Sequence, residues 1–407
     1  MKHVSIWWRP VLRPSCRFHA FCVVVAVVLF LRGEWASGDE PRPSATVAVV
    51  TVVKTSVVKT GESAGEVRGR VIVEAQDGGL LLEDAAHRIH TLTKRDVVEQ
   101  VSTQQPFQYL SDDDLAAQLL RIAGANFSIR QTEHFTICSD ASDVYTSFCG
   151  KLLEKVLVEY LEFFEEAEFV VKAPDFRLPV VIFRDSLAFQ EHARQQHPET
   201  DFSTVPGYYS IRDNQMFIAG LSGDREFRSN GELIRELRKH PRQVETIVHE
   251  SIHQLTFNTG VMVRYADNSM WLSEGLAVYF EQASGRGATF WNRPGEPSGV
   301  HLPGLKATID VRSGLGLPLA DLIASDQPFL SANQLADAYG ESWALTHFLI
   351  TSHRKGFDQL LQKVSHQQPL HAVTAENRLK NFAEATNLSA EEAESGLIRH
   401  VSRLRLR

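Results

Sequence analysis

Cysteine and positive charge are both scarce in this sequence of 407 residues. It contains four cysteines, and 50 Asp and Glu residues against 42 Lys and Arg residues give a formal net charge of −8. Because nucleic-acid binding depends on clustered positive charge that neutralises phosphates, we expect no nucleic-acid partner. With 43% hydrophobic and 23% charged residues, the composition is typical of a globular protein with room for one large domain and a smaller one.

Apart from one short run near the N terminus, the sequence lacks long apolar segments. Basic residues precede that run, which covers 20–31, and small residues follow it at 36–38. This order is typical of a secretory signal, and a membrane-spanning helix needs about 20 apolar residues. We therefore predict a signal peptide over 1–38, an exported (periplasmic or extracellular) mature chain and no stable membrane span after signal removal. The alternative is a membrane anchor formed by an uncleaved N-terminal segment.

Signal cleavage would change both the charge and the cysteine content of the chain. It would remove five basic residues and Glu34, so the net charge would fall from −8 to −12, and only Cys138 and Cys149 would remain. In an exported chain such a pair invites a disulfide, while two buried thiols are the alternative interpretation. The sequence leaves both open, because a disulfide requires Cα atoms within about 7 Å of each other.

The mature chain divides into three segments by residue pattern. Residues 39–64, rich in Val, Thr, Ser and Lys, are interpreted as a linker with at most one stray strand. Alternating apolar and polar residues over 65–105, with Asp-Gly-Gly at 77–79 marking a hairpin turn, predict a small β module. Strand and helix patterns then alternate and become mainly helical after Pro241, which predicts one larger α+β domain over 112–407.

A candidate metal site lies in the segment 241–260, which predicts a single helix because it begins with proline and ends with glycine. His249 and His253 are four residues apart, so their imidazoles project from one face and can bind the same ion. Glu250 lies beside the first histidine, where it can take a proton from metal-bound water. The H-E-x-x-H string is short enough to occur by chance, so the interpretation depends on a further ligand.

Glu274 is the candidate third ligand, on a helix predicted over 270–281. Its neighbours on that helix are mostly apolar, and an ionised carboxylate is costly there unless it is paired or bound to a metal. We therefore predict one Zn²⁺ held by His249, His253 and Glu274. Structural zinc sites usually have four protein ligands including cysteine, so three ligands favour an open, catalytic site. The alternative for the histidines is a pair of core imidazoles, and Glu281 is interpreted as a surface carboxylate.

The strings HESIHQLTFNTG at 249–260 and WLSEGLAVYFE at 271–281 resemble the gluzincin superfamily of zinc metallopeptidases, in its peptidase-MA-like branch. They also closely resemble an uncharacterised family of exported bacterial proteins with the same double signature. The resemblance is densest over 245–281 and extends over 130–405. It implies a zincin-like metallopeptidase fold, with a mixed sheet and an active-site helix followed by a helical C-terminal part. It also implies the third-ligand role of Glu274 and the general-base role of Glu250.

The same resemblance suggests a further catalytic residue. Aminopeptidase-like gluzincins carry an oxyanion-stabilising tyrosine on a later helix, and Tyr339 in YGESWALTHFL is the matching candidate. The alternative is an amphipathic aromatic whose hydroxyl reaches solvent. His347 is interpreted as a packing or supporting residue. The aminopeptidase motif that grips a free amino terminus is absent, and a hairpin predicted over 208–219 takes its place; its second strand is a candidate for pairing with an extended peptide, or part of an ordinary sheet.

These assignments predict an exported zinc-dependent peptidase that acts on a peptide or protein substrate. Zinc activates a water, Glu250 accepts its proton as it attacks the carbonyl, and Tyr339 helps to stabilise the oxyanion. The alternative is a catalytically silent zincin-fold protein with a binding or envelope-assembly role. Endopeptidase and exopeptidase activity both remain open at this point, as does the oligomeric state.

Overall fold

The computed structural model describes residues 54–60, 66–165, 169, 171–198, 200–221, 226–283 and 287–406. The predicted signal peptide and residues 39–53 of the predicted linker lie outside the described residues. Within the described ranges, no helix is both long enough and apolar enough to cross a membrane. Strands in two sheets combine with many helices in this part of the chain, so the α+β class is confirmed.

The first sheet is antiparallel and has the spatial order β4-β3-β2-β1-β5. Its strands are β1 (Lys54–Thr60), β2 (Glu66–Glu74), β3 (Leu80–Asp84), β4 (Ile89–Leu92) and β5 (Val97–Pro106). The β2–β3 hairpin turns where the Asp-Gly-Gly string predicts it. β1 lies inside the segment 39–64 interpreted as a linker, yet it pairs with both β2 and β5. The sheet therefore begins earlier than the sequence indicated, because a short strand rich in Lys and Thr carries little apolar alternation. We call this sheet the β module.

The second sheet is mixed and has the order β6-β7-β8-β10-β9. Its strands are β6 (Ser128–Gln131), β7 (Phe135–Ser139), β8 (Leu178–Phe183), β9 (Gly207–Ser210) and β10 (Gln215–Ala219). β7, β8 and β10 are parallel, whereas β6 and β9 are antiparallel edge strands. The predicted hairpin is confirmed as β9 and β10. Of the two alternatives for its second strand, the structure has the ordinary sheet rather than an edge for an extended peptide, because β10 pairs with both β8 and β9 and β9 forms the edge.

The helices predicted over 241–260 and 270–281 are confirmed. Most of the described helices lie after Pro241, as the sequence predicts. The described α-helices are α1 (Asp112–Ala123), α2 (Asp143–Glu165), α3 (Ser186–Gln196), α4 (Asn230–Leu237), α5 (Pro241–Asn258), α6 (Met270–Glu281), α7 (His301–Arg312), α8 (Leu319–Ala324), α9 (Leu335–Ser352), α10 (Arg354–Ser365), α11 (Ala375–Thr386) and α12 (Ala390–Arg403). Cys138 on β7 and Cys149 on α2 are free and buried, so the structure has the two-thiol alternative rather than a disulfide.

A large hydrophobic core joins one face of the second sheet to most of the helices, and α5 and α6 run through it. Two glycines allow close packing here. A Cβ on Gly207 of β9 would lie 3.0 Å from Thr246 of α5. A Cβ on Gly275 of α6 would overlap Thr346 Oγ1 and Ser342 O of α9. These contacts bring β9 onto one side of α5–α6 and α9 onto another.

The β module is fixed to the larger domain by a buried ionic cluster around Glu83 of β3. Its carboxylate, 2% exposed, accepts hydrogen bonds from Arg264 Nη2 at 2.6 Å and Tyr109 Oη at 2.9 Å and lies 2.6 Å from Arg70 Nη2. Arg264 belongs to the loop between α5 and α6. Burial raises the pKa of Glu83, but the contact with His87 and the charges of Arg264 and Arg70 lower it to about 2.

This cluster predicts a pH-dependent contribution to stability. A carboxylate whose pKa falls from 4.5 to about 2 on folding stabilises the native state above pH 4.5 and loses that effect as the pH falls towards 2. We expect Glu83→Gln to lower the free energy of unfolding by roughly 2–4 kcal/mol at neutral pH, and by less as the solution is acidified. Urea unfolding at a series of pH values measures the difference.

Glu74→Gln is the matched control, because Glu74 is an exposed glutamate of the same module. It should change the unfolding free energy by less than about 0.5 kcal/mol at every pH. A Glu83→Gln effect that is equally small, or that grows on acidification, would contradict the assigned role of the buried carboxylate.

Candidate metal centre

Two consecutive helices bring the three predicted metal ligands together. His249 and His253 project from one face of α5, and Glu274 projects from the first half of α6. All three side chains are buried, and one potential ligand atom from each lies within 4.8 Å of the others. The structure thus has a buried His–His–Glu group that could bind a metal ion.

The donor atoms of this group point at one another. His249 Nε2 lies 3.1 Å from His253 Nε2 and 3.3 Å from Glu274 Oε2, and Glu274 Oε1 lies 3.6 Å from His253 Nε2. Within the described residues, neither oxygen of the Glu274 carboxylate receives a hydrogen bond of normal geometry. A buried carboxylate without donors is costly, so the arrangement fits a cation between these three side chains.

Hydrogen bonds at the opposite ring nitrogens orient the two imidazoles. His249 Nδ1 lies 2.6 Å from Glu281 Oε2, and His253 Nδ1 lies 3.3 Å from Ser273 Oγ. When each Nδ1 carries the proton, each Nε2 presents a lone pair to the shared centre, and such outer contacts commonly tune metal ligands.

The interpretation of Glu281 as a surface carboxylate is wrong. Its side chain is 13% exposed and contacts His249. The helix continues to the end of the WLSEGLAVYFE string, so a residue seven positions after Glu274 returns to the same helix face after two turns. The seven-residue spacing could have indicated this position of Glu281 in the sequence. It is easily overlooked, because a glutamate at a helix end is usually solvated.

The electrostatics of the centre favour positive charge. Burial raises the pKa of Glu274, but His253 and His249 lower it to about 2. Burial lowers the pKa of His249, but Glu274 and Glu281 raise it well above its ordinary value. Carboxylates on two sides of the imidazoles therefore supply a negative field in which a bound cation is stabilised.

Glu250 lies outside the ligand group but beside it. Its side chain is fully buried, Oε2 accepts a hydrogen bond from the backbone N–H of Tyr209 at 2.8 Å, and Oε1 has no hydrogen-bond partner among the described residues. Burial raises its pKa to about 7, against the opposing effects of His249 and His253. The edge strand β9 thus holds one oxygen of Glu250 and leaves the other able to accept a proton.

Tyr339 reaches the same centre from α9. Its side chain is 8% exposed, and its hydroxyl faces Glu274. Burial and the negative charges of Glu274 and Glu250 raise its pKa well above the ordinary value, so the hydroxyl keeps its proton. The alternative, a hydroxyl in solvent, does not match this position. His347 lies elsewhere, with Nδ1 2.8 Å from His400 Nε2 on α12.

A further neighbour of the centre is His301 at the start of α7, and no sequence pattern predicts its position. Its ring lies against Gly340, next to Tyr339 in the chain. Burial lowers its pKa, while the charge of Glu281 raises it and that of His249 lowers it. A lone histidine after a Gly- and Pro-rich stretch has no spacing that links it to the α5 and α6 motifs.

Residues 243–371 match a protein family described as "Protein of unknown function (DUF1570)". The matched range contains the His–His–Glu group, Glu250 and Tyr339, and it excludes β9 and the β module. A search of curated proteins finds no match.

The convergence of three buried donors predicts one bound metal ion per chain. We expect His249→Ala, His253→Ala and Glu274→Ala each to lose most of the metal, since each substitution removes one of three protein ligands. Elemental analysis after dialysis measures the content. Glu281→Gln should retain the ligands but weaken metal affinity roughly 10- to 100-fold in a competition assay with a chelator.

Glu245→Gln is the matched control for Glu281→Gln. Glu245 lies one turn before His249 on α5, and its carboxylate accepts from Gln282 at 3.3 Å. Its substitution should change metal affinity by less than about threefold. Full metal content in all three ligand variants would remove the basis for the site.

Proposed function

We propose that the protein is an exported zinc-dependent peptidase of the gluzincin type. The observation that carries the proposal is the combination of a buried three-donor group with a fourth carboxylate, Glu250, that is held beside the group by a backbone N–H. A purely structural metal site has no need of such a neighbour. The α+β fold, in which an edge strand lies against the α5 helix, supports the same family resemblance.

Zinc is the metal that best fits the donors. Ligand atoms about 2.0–2.1 Å from a tetrahedral zinc ion are separated from one another by about 3.3–3.4 Å. The separations of 3.1, 3.3 and 3.6 Å between the donor atoms lie around that value. Two histidines and one glutamate also match the ligand set of zinc peptidases, in which a fourth position is left for water or substrate.

The chain supplies a proton acceptor and a hydrogen-bond donor around this centre. Bound zinc would supply a Lewis acid that makes water acidic enough to be a nucleophile near neutral pH. Glu250, with a pKa of about 7, accepts the proton of the attacking water and can deliver it to the leaving amine. Tyr339 keeps its hydroxyl proton and donates it as a hydrogen bond to the carbonyl oxygen that becomes negative during attack.

A peptide is the proposed substrate, because a metal-activated water with a carboxylate base beside it is suited to hydrolysis of an amide bond. Tyr209 directs its N–H away from β10 and donates it to Glu250, so β9 positions the proposed catalytic base.

Glu250→Gln tests the general-base role. The substitution keeps the shape of the side chain and leaves all three ligands, so we expect unchanged zinc content and a loss of at least about 100-fold in peptide hydrolysis. Zinc content and cleavage of a broad peptide library by the mature protein are the two measurements. Glu245→Gln is the control and should retain cleavage. Undiminished cleavage by Glu250→Gln would contradict the mechanism, and no cleavage by the zinc-loaded wild type would favour the alternative of a catalytically silent binding protein.

Tyr339→Phe tests the oxyanion role separately. We expect zinc content to be retained and kcat to fall roughly 10- to 1,000-fold with a smaller change in KM, because the contact strengthens in the transition state. Steady-state kinetics on a cleaved library peptide measures both constants. Tyr279→Phe, a substitution of another buried tyrosine in the same core, controls for loss of a hydroxyl. A kcat equal to that of the wild type would remove Tyr339 from the mechanism and leave the role of Glu250 intact.

A further inference from the structure

A pair of asparagine side chains joins the turn of the β9–β10 hairpin to the C-terminal end of α5. Asn214 lies in the turn and is fully buried, and Asn258 is the last residue of the helix. Their amides are paired reciprocally. Asn214 Nδ2 donates to Asn258 Oδ1, and Asn258 Nδ2 donates to Asn214 Oδ1, each at 2.8 Å. Because a buried amide is stable only when it is hydrogen-bonded, this pairing holds the turn against the helix in one position.

The backbone of Asn214 is tied to the same region of the fold. Its φ of +56° is a left-handed conformation that asparagine adopts more readily than most residues other than glycine. Its N–H donates to Ser210 O at 2.8 Å, and its carbonyl oxygen accepts from Gln254 Nε2 at 3.3 Å. Gln254 Nε2 also donates to Pro179 O of the central strand β8 at 2.9 Å. The hairpin turn, the sheet and the metal-site helix therefore meet at one buried group of amides.

Tyr209 connects this group to the proposed catalytic base. Its hydroxyl donates to Asn214 Oδ1 at 2.7 Å, and its backbone N–H donates to Glu250 Oε2 at 2.8 Å. Its ring is 4% exposed and stacks on Phe257 of α5, with the ring centroids 5.8 Å apart. The side chain of Tyr209 is thus held by the amide pair, while its backbone holds Glu250. Since β9 is the edge strand of its sheet, these contacts help to determine where the Tyr209 N–H lies.

The orientation of the Glu250 carboxylate depends on this N–H. Within the described residues, Oε1 of Glu250 has no hydrogen-bond partner, so the contact of Oε2 with Tyr209 is the one that orients the group. A general base must lie within hydrogen-bond reach of the proton that it accepts, and a displacement of about 1 Å can cost roughly 100-fold in rate. A small movement of β9 would therefore be felt at the reacting proton.

We propose that Asn214, Asn258 and Tyr209 form a positioning network that fixes the carboxylate of Glu250 beside the metal centre. This inference rests on the proposed peptidase function and adds to it three residues that act through Glu250. The plain alternative is that the same contacts only stabilise the hairpin. The two roles differ in what they predict for the Tyr209 N–H and for kcat.

Hydrogen exchange of the Tyr209 amide tests the positioning without any need for turnover. The chain has eight tyrosines, so ¹⁵N-tyrosine labelling gives few NMR signals, and the signal of Tyr209 is identified by its loss in Tyr209→Phe. Exchange of this amide requires its bond to Glu250 to open. The amide of Tyr160 in the core helix α2, identified in the same way, is the internal reference for unfolding of the whole domain.

Asn214→Gly deletes one amide of the pair and keeps the backbone conformation, because glycine also adopts a positive φ. In the zinc-loaded protein, we expect it to speed exchange of the Tyr209 amide at least about 10-fold relative to that of Tyr160. Tyr208→Phe is the matched control. Tyr208 is the neighbouring buried tyrosine of β9, and its ring packs against Phe217 rather than against α5, so the exchange ratio should stay within about twofold of the wild type.

Steady-state kinetics tests the consequence for hydrolysis. We expect Asn214→Gly and Asn258→Ala each to lower kcat roughly 5- to 50-fold, with KM and zinc content changed less than about threefold, because a misplaced base slows the chemical step. The double variant should be no slower than the slower single variant, since either substitution breaks the same reciprocal pair. Tyr208→Phe should keep the kcat of the wild type.

Tyr209→Phe keeps the test decisive if loss of an amide prevents folding, because it removes one hydroxyl and leaves the backbone N–H. It should lower kcat at least about threefold with zinc content retained. Unchanged exchange in Asn214→Gly, faster exchange with unchanged kcat, or equal effects in Tyr208→Phe would overturn the positioning network and leave the peptidase function standing. Faster exchange in Asn214→Gly, together with no cleavage of any peptide by the zinc-loaded wild type, would overturn the peptidase function and leave the positioning of Glu250.

Discussion

An ionised carboxylate is stable in a protein interior only when cations or hydrogen-bond donors surround it, and Glu274 imposes this requirement on the centre of the fold. The imidazoles of His249 and His253 face its two oxygens, yet among the described residues neither oxygen receives a hydrogen bond of normal geometry, so the group could bind a cation. The start of α6 is fixed by Asp326, which accepts from the N–H of Met270 and from Arg378 of α11. A contact from a remote helix therefore sets where Glu274 lies.

The same principle governs the second buried carboxylate, Glu83, with a different result. Two guanidinium groups and a phenol contact the carboxylate of Glu83, so it needs no metal. These contacts hold the β module against the larger domain. Glu274 has imidazoles where Glu83 has guanidinium groups. Because neutral imidazoles offer lone pairs and guanidinium groups offer only donors, the first arrangement could bind a cation, whereas in the second the guanidinium groups themselves supply the positive charge.

How far the sequence predicts this structure depends on the separation of the residues involved. The helices α5 and α6 follow from local spacing, since one helical face is readable locally, and His249, His253 and Glu274 lie within 26 residues of sequence. The partnership of Arg264 with Glu83 spans 181 residues and leaves no local pattern. The two alternatives for the second strand of the hairpin stay open in the sequence for the same reason: a hairpin is visible locally, but which of its strands meets β8 is decided by the tertiary packing of the sheet.

The position of the family match along the sequence also limits what can be concluded from it. The family match begins at residue 243 and ends at 371, so it contains the metal ligands, Glu250 and Tyr339. It leaves out β9, which holds Glu250 through Tyr209, and the β module, which contacts the turn after that strand. The groups that would perform the proposed chemistry lie inside the matched range, whereas the strand that positions Glu250 lies outside it. Since a zinc centre and its base can be kept while the walls of the cleft change, shared sequence over this range supports a shared reaction more strongly than a shared substrate.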